Sequence, residues 1–107
     1  MAGPGTGNGA RRLEVHCSGA LAATIRRVHR QAWRQGRGQA FTRAFRQIVR
    51  RLELDPSHTG EPAYRLPGLR MQVRTAVVRP LVVDFAVCED RPLVFIKGVK
   101  LLAAQDS

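Results

Sequence analysis

The chain is short of carboxylates: eight Asp and Glu stand against eighteen Lys and Arg in 107 residues, for a formal net charge of +10. That imbalance argues against a surface whose charges neutralise one another, and it favours a polyanionic partner. Lysine is scarcer still, with Lys97 and Lys100 the only two. A GC-rich coding sequence accounts for arginine over lysine as readily as a need for guanidinium forks that grip phosphate or carboxylate. It does not account for the net charge, since Asp and Glu could have balanced it. Two cysteines, Cys17 and Cys88, are too few for a disulfide scaffold and lack metal-ligand spacing. Both sit in apolar runs and are expected to be buried thiols in a reducing compartment. No apolar run approaches the roughly 20 residues that cross a bilayer, and MAGPGTGNGARR has no apolar signal-peptide core. The expectation is a soluble, cytoplasmic protein with no membrane contact. No Cys/His cluster has zinc spacing, no carboxylate pair marks a metal site, and no strand leads into a glycine-rich phosphate loop. No cofactor is therefore expected.

The length allows one domain. Residues 1–12 hold four glycines and a proline without an apolar pattern and read as a disordered tail. Residues 13–102 read as the folded unit, and 103–107 as a C-terminal tail. Leu13, Val15 and Cys17 alternate with Glu14 and His16, which predicts a short strand, and Ser18 is placed to cap a helix. Leu21, Ile25, Val28 and Ala32 then form one apolar helical stripe, with Arg26, Arg30 and Arg34 on another face. QGRGQ at 35–39 turns the chain. Phe41, Phe45, Ile48, Val49 and Leu52 mark a second amphipathic helix, with Arg43, Arg46 and Arg50 mostly off its apolar face. DPSHTGEP at 55–62 ends it, because Pro56 cannot continue a helix. Trp33 and Phe41 bracket the helix–helix turn: they staple the hairpin together, or Trp33 is exposed as a contact surface.

Three β-type runs follow in YRLPGLRMQVRTAVVRPLVVDFAVCEDRPLVFIKGVKLL, residues 64–102. Met71, Val73 and Val77 alternate with Arg70, Gln72 and Arg74, so one sheet face is expected to be buried and the other to carry guanidinium groups. Val83, Phe85 and Val87 alternate in the next run, and CEDRP turns the chain into Leu93–Val99. The order β–α–α–β–β–β predicts an α+β domain, a helical hairpin packed on a small, mainly antiparallel sheet.

With that order, the chain resembles the RelE/ParE superfamily of type II toxin–antitoxin toxins from about Leu13 to Leu102. Three features carry the resemblance. The helical hairpin ends in a leucine-rich turn and an Asp55–Pro56 stop. The segment MQVRTAVVRPLVVDFAV is similar to the family's Arg-bearing strand, turn and following strand, with Arg74 and Arg79 at the basic positions. EDRPLVFIKGVK is similar to its acidic turn and last strand. The resemblance implies a toxin held by a cognate antitoxin and acting as a metal-independent mRNA endoribonuclease on the ribosome. In that chemistry the RNA 2′-hydroxyl attacks its neighbouring phosphate, and converging cations stabilise the developing charge. Arg74, Arg79 and Lys100 would be catalytic; Arg70, Lys97, Tyr64 and His58 would contact RNA or phosphate. Each also has a plain structural reading: solvation of a sheet face, pairing with Asp84, Glu89 or Asp90, a turn histidine, or a strand tyrosine. The segment places Phe85 where the family has an aromatic in its penultimate strand, and Leu101 where a final Arg would sit. Two alternatives follow: a ParE-type toxin that binds DNA gyrase without catalysis, and an inactive basic nucleic-acid-binding relative.

Overall fold

One hydrogen bond separates the first strand from the first helix. In the computed structural model, which describes residues 12–103, the Ser18 hydroxyl accepts from the Leu21 backbone N–H at 3.1 Å. This satisfies one donor that a helix start leaves open and contributes about 0.5–2 kcal/mol. Strand β1 (Glu14–His16) precedes it, and α1 (Gly19–Arg34) follows. The chain reverses through Gly36, at φ +74°, and enters α2 (Gly38–Leu54). Pro56 ends α2 in a 3-10 turn, Pro56–His58. Then come β2 (Glu61–Leu66), β3 (Met71–Val78), β4 (Leu81–Cys88) and β5 (Leu93–Leu101). The expected tails, apart from Arg12 and Ala103, lie outside the described residues.

The strands make one sheet in the order β1-β5-β4-β3-β2, antiparallel except that β1 runs parallel to β5. The α+β arrangement of a helical hairpin on a sheet is as expected, with one strand more. Residues 61–66, expected as the end of a turn and the approach to the sheet, form the edge strand β2.

Register decides which face meets the helices. Val83, Phe85 and Val87 of β4 stand opposite Ala76, Arg74 and Gln72 of β3, and opposite Val99, Ile96 and Val94 of β5. Onto this face α1 lays Leu21, Val28 and Ala32, and α2 lays Phe41, Ala44, Ile48 and Leu52. These are the stripes that amphipathic helices commit to a core. Ile48, Leu52, Val83 and Phe85 are fully buried, each contributing about 1.5–3 kcal/mol of transfer free energy. Cys88 is buried as expected. Cys17 is exposed, because the chain leaves the sheet at His16 before reaching it. No helix among the described residues is long and apolar enough to cross a membrane.

Two arginines fasten the periphery. Arg37, in the hairpin turn, donates to the Leu102 carbonyl at 2.8 Å, tying the helices to the end of β5. Arg65 on β2 grips both carboxylate oxygens of Glu89, at 2.5 and 2.7 Å. Those hydrogen bonds hold the Glu89 carboxyl below its ordinary range. A carboxyl lowered in the folded state stabilises at pH above its unfolded value, and the effect is lost as pH falls through the folded value. Glu89→Gln is therefore expected to lower Tm at neutral pH. The difference from the parent should vanish in acid, which thermal melts at a series of pH values will check.

Candidate nucleic-acid interface

Each helix commits one face to the core, and arginine dominates the rest. Arg26, Arg27, Arg30 and Arg34 on α1 and Arg43, Arg46, Arg50 and Arg51 on α2 are all exposed. Glu53 is the one acidic residue in the two helices. None of the eight arginines forms an ion pair with a described carboxylate. Arg26/Arg30, Arg30/Arg34 and Arg46/Arg50 are like-charge neighbours at i, i+4, each destabilising its helix by about 0.2–0.5 kcal/mol. Glu53 lines a hollow with Arg46 and Arg50 and is the only helical carboxylate near them.

The sheet face turned away from the helices has a different character. Tyr64, Val73, Ala86, Phe95 and His16 stand in one register row across all five strands. The adjacent row contains Thr75, Asp84 and Gly98, and the next Val77, Val82 and Lys100. Thr75 donates its hydroxyl to the Asp84 carboxylate at 2.7 Å. Among residues paired across this face, Glu14, Glu61 and Asp84 stand against one cation, Lys100. The expected cationic sheet face is therefore not there. The alternation along β3 is as read from the sequence, but the helices cover the side of Gln72, Arg74 and Ala76; on the other side Val73 is buried as expected and Val77 is exposed.

The sequence-derived site residues are distributed as follows. Arg74 is buried at 8 % exposure, donating to the carbonyls of Thr59 (2.9 Å) and Gly60 (3.0 Å) and to the Gln72 side chain (3.2 Å). Arg79, in the β3–β4 turn, and Lys100, opposite Val82, share one end of the sheet, and both are exposed. Arg70 lies at the other end of β3, roughly 25 Å away by strand rise, and pairs with Asp90 at 3.7 Å. Lys97 is the extra residue of a bulge, since Phe85 pairs with Ile96 and Asp84 with Gly98. It lines a cavity of about 400 Å³ with Cys17, Ser18 and Phe95. Tyr64 is exposed on β2, and His58 is held by Asp55 at 2.9 Å. Arg79 and Lys100 thus share the β3–β4 end of the sheet, while His58 and Tyr64 lie beside Arg74, whose guanidinium is taken up by the turn. Among the described residues no group of His, Cys, Asp and Glu is arranged to hold a metal.

No protein-family model matches the chain, and no curated protein or solved structure is significantly similar to it. The site must be judged on its own chemistry, and that chemistry is concentrated on the helices. The sequence pattern already put six of these arginines, all but Arg27 and Arg51, wholly or mostly off the apolar stripes. Which surface carries the charge becomes visible only once register turns Arg74 inward.

Arg74 acts as a clamp. Its fork closes the turn containing Gly60, whose φ of +67° and close approach to the Thr75 carbonyl admit no side chain. Removing the guanidinium leaves two carbonyls short of donors. Arg74→Leu is expected to cost about 2–4 kcal/mol in urea unfolding. Arg74→Lys should recover little, because one ammonium cannot reproduce the fork. A loss confined to nucleic-acid binding, with stability unchanged, would contradict this role.

Proposed function

We propose that this chain is a nucleic-acid-binding protein of RelE/ParE-like toxin type whose phosphate contacts come from the outer face of its helical hairpin. The observation that carries the reading is the set of eight exposed helical arginines opposed by a single glutamate and unpaired among the described residues. Guanidinium groups bind phosphate by charge and by paired hydrogen bonds. A surface holding so many against their mutual repulsion is suited to a dense line of negative charge. In the toxin setting the same surface would be masked by an acidic antitoxin segment.

Binding of this kind releases counterions. If about four phosphates are neutralised by arginine contacts, affinity for a single strand should fall roughly 50-fold between about 50 and 200 mM salt. Anisotropy titrations of a labelled oligonucleotide measure this directly. Arg43→Ala combined with Arg46→Ala should flatten the log–log slope by about 1.4, at 0.7 per lost phosphate contact. A slope unaffected by that pair would refute the assignment to the helices.

Ribosome-dependent cleavage is a second reading, supported by the juxtaposition of Arg79 and Lys100 at one end of the sheet. Primer extension on mRNA from a cell-free translation reaction tests it. New codon-phased 5′ ends that disappear with Lys100→Ala would establish cleavage there. Intact message would rule cleavage out, and inhibition of gyrase supercoiling would then favour the ParE-type alternative.

A further inference from the structure

Trp33 is the single tryptophan of the chain, and it lies at the end of the arginine surface with 55 % of its area exposed. The hairpin does not need it as a staple. Phe41 fills that role, buried at 3 % exposure and stacked between His29 and Phe45 at centroid distances of 4.7 and 6.0 Å. The indole is nevertheless held in place. Its Nε1–H donates to His29 Nε2 at 2.8 Å, which requires the tautomer with that nitrogen free to accept. The ring lies against the backbone of Gly38, where an added Cβ would come within 2.1 Å of it. One side of the indole is therefore seated on the first turn of α2, and the exposed remainder faces solvent.

A cavity of about 350 Å³ opens beside it, lined by Trp33, Gln39, Thr42, Arg43 and Arg46. Arg46 also lines a second hollow of about 380 Å³ with Arg12, Arg50 and Glu53, so three cations and one carboxylate continue along α2 away from the tryptophan. A flat, fixed π-surface beside a file of guanidinium groups matches a nucleotide whose base is out of its stack: the ring takes the base, and the arginines take the phosphates. A duplex can use the arginines alone, since its bases are not free to stack on a side chain.

We propose that Trp33 is a base-stacking platform that makes the helical face a binding site for single-stranded nucleic acid, with Arg43 and Arg46 holding the adjoining phosphates. This rests on the reading that the helices bind nucleic acid, and it specifies the strand form they prefer.

The lone indole supplies its own readout. Trp33 fluorescence is followed while oligo(U), oligo(dT) or a duplex of equal length is added to the full chain, with anisotropy of the labelled strands measured in parallel. Single strands are expected to quench Trp33. Trp33→Ala is expected to reduce the ratio of single-strand to duplex affinity about tenfold, with Trp33→Phe between the two. Circular dichroism confirms that the variants fold. Quenching by oligo(U) alone or oligo(dT) alone supports the platform and identifies the sugar it accepts. Binding without quenching, and with an unchanged ratio in Trp33→Ala, overturns the platform while leaving the arginine surface intact. Loss of all binding overturns both. Fluorescence that changes with protein concentration alone, without added strand, assigns Trp33 to self-association and also overturns the proposal.

Discussion

The structure depends on the burial of one apolar stripe from each helix against the sheet, α1 chiefly over β5 and α2 over β3 and β4. Phe85 is at the centre of that contact, fully buried, with Val83 and Val94 on the sheet side and Ile48 and Leu52 on the helix side. Sixteen- and seventeen-residue helices are marginal alone in water and owe most of their stability to such packing. Once Leu21, Val28, Ala32, Phe41, Ile48 and Leu52 face the sheet, the intervening positions must face outward. The arginine surface is the geometric complement of the core: the contact that folds the protein also orients its charge.

A second consequence concerns Arg74. Strand pairing places it opposite Phe85 on the covered side of the sheet, where a bare guanidinium would be costly. The turn after α2 resolves this by presenting the Thr59 and Gly60 carbonyls to the fork. The arrangement needs Gly60 in a left-handed conformation with no side chain. Turn and cation therefore stabilise each other. A change in activity on replacing Arg74 would reflect this fold contact before any chemistry.

Much of the fold was legible because its signals are local. The Ser18 cap, the stripe from Leu21 to Ala32, the glycine reversal at 36 and the stop at Pro56 each rest on a few neighbouring residues. β2 was not, since EPAYRL has a proline, two charges and no apolar alternation, and it is a strand because β3 offers it an edge. The alternation of Arg70, Gln72 and Arg74 with Met71, Val73 and Val77 was equally clear, but a period of two defines two faces without saying which one is covered. That choice belongs to the helices, and it moved the expected charge from the sheet to the hairpin. Trp33 had two readings in the sequence. Phe41 taking the interior position leaves it the outer one.

This placement weighs binding against cleavage. A phosphate held by Arg43 or Arg46 is on the helix layer, while Lys100 faces away on the far side of the sheet. Packed layers of this kind are about 10 Å apart between backbones, too far for one phosphate to feel both sets of cations at contact distance. A nuclease needs its cations to converge on the reacting phosphorus, and here Arg79 and Lys100 share no more than one end of the sheet. Binding makes no such demand. It needs charge density along one surface and something to distinguish one strand form from another, and the helical hairpin has both in its arginines and its exposed indole.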